Sequence, residues 1–337
     1  MRLSTPVNVS PSPVRITPCS QLLCLGSCFA GVLGKGWLDS GLSGCHNPFG
    51  NLFNPASILG ALQLLANPNA LELLENALFC KDTLWHSFFF HSSFSASHRD
   101  LAWQKMQTSW QQGRKALLEA DFLLLTWGSA LAWYHHSAAK QAVANCHCLP
   151  EQEFERRLIA ADEIANTYRC FLSHYLKEHA SLRIILSVSP VRHCVGDLPL
   201  NSVSKAQLLI AAKELCQAFP KQVFYFPAYE ILLDELRDYR FYAEDFCHPS
   251  PLAEKLVRER FLSSWGTPEL QKYMALTAEQ KQLEQHRPRL PESPQVKLWQ
   301  QHAEQRQREL NTALQQLRQP LQDSPPEVAP AAAGRQR

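Results

Sequence analysis

The run Leu22-Leu23-Cys24-Leu25-Gly26-Ser27-Cys28-Phe29-Ala30-Gly31-Val32-Leu33 decides the fold. Four apolar residues end at a glycine and give way at once to apolar positions at helical spacing, the pattern of a buried strand feeding a helix. The same strand-length pattern returns at Phe122–Trp127, Ile184–Val188 and Val223–Phe226. Helical periodicity marks Phe29–Leu38, Pro55–Leu65, Leu101–Glu119, Glu151–Lys177 and Lys205–Ala218, each long enough to cross over between parallel strands. Strands apolar throughout, alternating with helices, predict an α/β fold in three layers, with helices on both faces of a parallel sheet of about five strands.

The rest of the chain bounds the function. With 337 residues, 45% hydrophobic and 19% charged, it has the composition of a folded protein of one large or two modest domains. Lys and Arg number 33 against 31 Asp and Glu, a net charge of +2, and no basic run is present to track a phosphate backbone, so nucleic acid is not an expected partner. Apolar runs such as Phe122–Leu125 and Leu208–Ala212 fall far short of the roughly 20 residues of a membrane helix, so no membrane span is expected. Met1–Ser20 holds prolines and no apolar signal core, and eleven cysteines is an odd count, so reduced thiols and a cytoplasmic setting are expected.

Four segments are expected: an N-terminal extension over residues 1–19, the α/β domain over 20–265, a Gln-rich helical extension over 266–319 and a disordered Ala/Pro-rich tail over 320–337. Leu310, Leu314 and Leu317 keep i, i+4, i+7 spacing, so a helix there could lie on the domain or dock a partner.

The chemistry gathers at two places. Cys28 follows a buried strand at or near the first turn of a helix, where unpaired N–H groups and the helix dipole favour an anion, so its thiol is expected to ionise readily. It reads equally as a small thiol filling space beside the strand. Near the far end stands Arg240-Phe241-Tyr242-Ala243-Glu244-Asp245-Phe246-Cys247-His248-Pro249-Ser250. Asp245 and His248, three apart, suit a carboxylate that fixes the imidazole tautomer and leaves the other ring nitrogen to take a proton. The same string also reads as a capping loop before a helix at Pro251–Phe261.

The string Gly26-Ser27-Cys28-Phe29-Ala30 resembles the signature of the GSCFA family, and through it the SGNH/GDSL hydrolase superfamily. The resemblance spans residues 20–262. It rests on Asn47-Pro48-Phe49-Gly50 with Asn54-Pro55, His91-Ser92 with Phe94-Ser95, Asn145-Cys146-His147, Ser187-Val188-Ser189-Pro190-Val191-Arg192-His193, Ser204-Lys205-Ala206, and Leu236 to Asp245 leading to His248-Pro249-Ser250. It implies a flavodoxin-like α/β/α sandwich, SGNH hydrolase-like, with its site at the carboxyl ends of the strands. The superfamily's nucleophilic serine falls at Cys28 and its Asp-x-x-His block at Asp245 and His248, implying a catalytic triad of Cys28, His248 and Asp245; Ser27 takes the place of the superfamily's aspartate. Gly50 matches the second oxyanion-hole donor. The third block, Thr126-Trp127-Gly128-Ser129-Ala130, has Ala130 in place of the superfamily's asparagine, so Ser129, Asn51 or Asn54 would substitute.

The activity so implied is hydrolysis or transfer of an acyl group from an ester, with a carbohydrate O-acyl ester as the substrate that superfamily analogy suggests, by an esterase or acyltransferase with a cysteine nucleophile. The other reading is a non-catalytic SGNH-like binding module of a polysaccharide or lipid pathway. Ser27, Asn47, His91, Gly128, Arg192 and His193 are the candidates for lining the substrate pocket, with His147 behind them. Cys146-His147-Cys148 and His135-His136 lack a second ligand pair at zinc spacing, so no metal is expected. The absence of a Gly-rich phosphate loop leaves no cofactor implied.

Overall fold

The computed structural model describes residues 4–136, 141–193, 196–286 and 294–319; the tail expected over 320–337 lies outside these. The strands are β1 (Leu22–Gly26), β2 (Gly44–His46), β3 (Leu78–Lys81), β4 (Leu84–Ser87), β5 (Phe122–Trp127), β6 (Leu131–His135), β7 (Phe154–Leu158), β8 (Arg183–Val188) and β9 (Val223–Tyr225). The helices are α1 (Ala30–Asp39), α2 (Pro55–Ala66), α3 (Ala70–Asn76), α4 (Arg99–Glu119), α5 (Ala161–Glu178), α6 (Leu198–Ala218), α7 (Ala228–Glu230), α8 (Pro251–Trp265), α9 (Pro268–Gln285) and α10 (Pro294–Leu317).

Five strands form one parallel sheet in the order β2-β1-β5-β8-β9. The expected α/β fold is present, and its order reverses between β1 and β5, the position at which open α/β sheets bind ligands. Leu23, Leu25, Leu123, Leu125, Ile184 and Leu186 are buried in one core with residues of α2, α4, α5 and α6. The opposite face of β1 meets α1, where a Cβ on Gly34 would stand 2.8 Å from Cys24 Cβ. Strand and helix approach there at glycine distance.

Two departures from the sequence expectation have local causes. The helix expected from Glu151 begins only at Ala161, because Phe154–Leu158 pairs antiparallel with Leu131–His135 as β7 on β6. A second hairpin, β3 on β4, turns at Asp82 and Thr83, both at positive φ (47° and 67°), the backbone of a two-residue hairpin turn. Both sheets lie outside the parallel array, and their pairing depends on partners the local pattern does not reveal.

The chain divides into two compact units, Met1–Val9 with Ser20–Glu259, and Ser10–Cys19 with Arg260–Arg337. In the second, Ser12 and Ile16 donate to the carbonyls of Ser264 and Trp265 (both 2.8 Å), and Thr267 N–H returns to Ile16 O (2.9 Å). Thr267 then caps α9, accepting from Leu270 N–H (3.2 Å). The leucine stripe of α10 lies against α9, with Leu310 buried and Arg306 paired with Glu279 (2.7 Å). No described helix is long and apolar enough to cross a membrane.

Candidate active site

The site begins where β1 ends. Gly26 pairs with Thr126 of β5 at φ +152°, and a Cβ there would stand 2.2 Å from Thr126 O, so the turn requires glycine. Asn47, just past β2, locks it: its Oδ1 accepts from Gly26 N–H (2.9 Å) while its Nδ2 donates to Gly26 O (3.1 Å) and to Asn51 Oδ1 (2.9 Å). Asn47 is therefore buried scaffold. Ser27 is 1% exposed, its hydroxyl buried without a partner, and it packs on Gly128, whose added Cβ would lie 3.1 Å from Ser27 Cβ.

Cys28 follows, half-buried, two residues before α1. Burial pushes its thiol up from the ordinary cysteine value. The N–H groups of Phe29 and Cys28 and the charge of Lys205 pull it back, while Glu254 adds to the rise. The helix-terminus effect expected from the sequence is present, but desolvation exceeds it, and the resting group is a thiol.

The loop before α8 is tied to the exit of β8 through Arg192 N–H and Cys247 O (3.2 Å). Asp245 Oδ1 accepts from the N–H groups of Cys247 and His248 (both 2.9 Å), and Oδ2 holds His248 Nδ1 at 2.6 Å. Three donors hold the carboxyl down to about 2, first the His248 N–H, then its ring, then the Cys247 N–H. With Nδ1 committed, Nε2 is the ring atom left for proton transfer. Glu254 on α8 reaches both Cys28 and His248 electrostatically: it raises Cys28, and its own carboxyl is pushed up by burial and drawn back in part by Arg258 and His248. Among the described residues no hydrogen bond joins Cys28 Sγ to His248 in this conformation, and the His248 side chain is 52% exposed.

The expected oxyanion donors are largely committed. Gly50 N–H donates to Asn47 O at 2.7 Å. Its φ of +79°, with an added Cβ only 2.3 Å from His91 Cβ, marks it as a turn and contact residue. The N–H groups of Gly128 and Ser129 both donate to Phe53 O (2.8 Å), and that of Ala130 to Ser204 Oγ (2.8 Å). Ser129 Oγ accepts from Leu131 N–H (2.9 Å). Asn54 caps α2 through Oδ1 (2.8 Å to Ser57 N–H), and Asn51 accepts from Asn47, so both asparagines spend their oxygens and keep an amide NH₂.

Arg192 donates from its backbone to Cys247 O (3.2 Å) and from Nη1 to Phe246 O (3.0 Å), and lies 4.4 Å over the Tyr242 ring. It thus braces the His248 loop and lines a polar cavity of about 430 Å³ with Arg237, Tyr239 and Tyr242. Both ring nitrogens of His193 are buried without partners; burial, then Lys205 and Arg156, push it down to about 3. His91 caps a short 3₁₀ turn, accepting from Ser93 N–H (3.2 Å). His147 is in an aromatic cluster with His86 (4.6 Å), and its Nε2 donates to Ser87 O (2.9 Å). Among the described residues no three His, Cys, Asp or Glu side chains converge as a metal site. An apolar cavity of about 750 Å³, walled by Leu78, Phe79, Phe88, Phe89 and Val143, includes none of Cys28, Asp245 and His248.

Sequence reading quoted Lys205 within the family string Ser204-Lys205-Ala206 and gave it no role. The side chain is 1% exposed, and Nζ donates to Gly128 O and Ser189 O, both at 2.6 Å. The available signal was its position on the buried stripe of α6 with Asn201, Ser204, Leu208, Ala212 and Leu215, where a lysine is out of place unless paired.

A model of the GSCFA family matches residues 21–261. No curated protein and no solved structure matches the chain.

Proposed function

The chain belongs to the GSCFA family, and from that premise we propose that it transfers acyl groups from esters, as an SGNH-like esterase or acyltransferase working through Cys28. The observation that carries this reading is the closed Asp245–His248 pair, with Nδ1 held at 2.6 Å at the same end of the sheet as a cysteine leaving β1 at the switch point. A carboxylate bound by three donors stays ionised and steadies an imidazolium.

In the proposed reaction Cys28 Sγ attacks the ester carbonyl as its proton passes to His248 Nε2. Because burial keeps Cys28 as a thiol, that proton moves during the attack, which makes His248 a general base. The carbonyl oxygen becomes an oxyanion that faces the N–H groups of Cys28 and Phe29, with an Asn51 or Asn54 amide as further donor. Collapse breaks the C–O bond; the alcohol leaves with the proton from His248, and a thioester remains on Cys28. Water or an acceptor hydroxyl, deprotonated by the same histidine, attacks the thioester and returns the thiol. A carbohydrate O-acyl ester is the substrate class we take from the superfamily resemblance; the polar cavity at Arg192 and Tyr242 adjoins the His248 loop through Arg192 but is lined by none of Cys28, Asp245 and His248, and a cytoplasmic setting fits the free thiols among the described residues.

The test is a panel of p-nitrophenyl esters and acetylated sugars, with intact-protein mass spectrometry for an acyl adduct. The wild type is expected to carry the adduct on Cys28, Cys28→Ala to show none, and His248→Ala to lose about 10²–10⁴-fold in kcat/KM. Turnover by Cys28→Ala at the wild-type rate overturns the mechanism. One observation favours the alternative, a binding module that does not turn over: the N–H groups at 128–130 are all spent within the protein. Binding of acylated sugars with no adduct under any condition would select it.

A further inference from the structure

Lys205 is a buried ionisable group that the proposed reaction leaves unused. The parallel register places three strand exits side by side: Gly26 pairs with Thr126, and Trp127 with Val188, so the residues after β1, β5 and β8 emerge as neighbours. Lys205, from α6, reaches the latter two exits, taking Gly128 O and Ser189 O at 2.6 Å each. Gly128 in turn packs on Ser27, next to Cys28. An ammonium is expensive to bury unless it is paired, and the groups that hold this one include two carbonyls at the same strand ends as the thiol.

We propose that Lys205 is a positioning residue of this site: it ties the loops after β5 and β8 together beside Cys28 and supplies the positive charge that readies the thiol to lose its proton. The inference rests on Cys28 being the reactive group. The charged and titratable groups concerned are few. Lys205 of α6 favours the Cys28 anion, and Glu254 of α8 opposes it. Glu254 also faces His248 and Arg258. Lys205 itself faces Cys28, His193 and the ring of Tyr229 (5.9 Å). Deleting the ammonium leaves only the N–H groups of Phe29 and Cys28 against burial and Glu254, so proton loss becomes harder.

The experiment is the rate of Cys28 alkylation by iodoacetamide from pH 7 to 11.5, site-resolved by mass spectrometry, in wild type, Lys205→Met and Lys205→Arg. Lys205→Met is expected to move the midpoint up by about one pH unit, slowing labelling about tenfold below it, and Lys205→Arg to restore most of the shift. A folded Lys205→Met with the wild-type midpoint overturns the inference. If that variant does not fold, ¹³C-lysine NMR of the wild type and Cys28→Ser gives the reciprocal reading, since coupling between two sites is mutual. The Lys205 midpoint is expected to fall in Cys28→Ser, and an unchanged midpoint overturns the inference. The two proposals separate cleanly: a Lys205-dependent midpoint without any acyl adduct removes the enzyme reading alone, whereas an adduct with a Lys205-independent midpoint removes this one alone.

Discussion

Single residues fix the geometry at the end of β1. Asn47 replaces a missing strand neighbour for Gly26 with both ends of one amide. Asn47→Ala would leave the buried Gly26 N–H unsatisfied, while Gly26 O keeps Leu52 N–H at 2.9 Å, and unfolding in urea is expected to show a loss of about 1–3 kcal/mol. Gly50→Ala forces a side chain into φ +79° and onto His91; a loss of about 1–3 kcal/mol is expected by the same measurement. Asp245 and His248 were legible in the sequence because their relation is local, three residues within one loop. Lys205 was not, because its partners, Gly128 and Ser189, are far away in the chain and a lysine in a helix reads as surface. The protonation state of Cys28 was misread for a related reason. A helix terminus can be seen in sequence, but the tertiary burial that outweighs it cannot.

At the scale of elements, three of the strands found from sequence, β1, β5 and β8, lie inside the sheet and are almost wholly buried, and the fourth, β9, is an edge strand whose run is still apolar and aromatic. β2 escaped because Gly44-Cys45-His46 is a short edge strand with no apolar run. β7 escaped because its pattern, Phe154-Glu155-Arg156-Arg157-Leu158, precedes a strong helical period and acquires meaning only from β6. The β3–β4 turn holds a β-branched residue, Thr83, at φ +67°, an uncommon and strained placement. Thr83→Gly is therefore expected to stabilise the protein by about 0.5–1 kcal/mol, read as a higher urea midpoint.

For the molecule as a whole, buried neutral histidines set the response to acid. Desolvation holds His147 at about 4 and His193 at about 3, both below the value of about 6.5 that an unfolded chain gives them. The unfolded state therefore binds more protons in this window, and stability, complete above about pH 6.5, falls as the pH drops toward 4 and 3. Each histidine contributes a slope of up to about 1.4 kcal/mol per pH unit. Urea midpoints measured from pH 7.5 to 4.5 are expected to fall, and less steeply in His147→Asn; equal slopes would remove His147 as a cause. The segment Ser10–Cys19 belongs with Arg260–Arg337, and Arg15 bonds to Ser264 O across 249 residues. On a ribosome adding about 5–20 residues per second, Ile16, fully buried in the finished protein, waits about 12–50 s for its partners to be synthesised, so the second unit is completed last although part of it is made first.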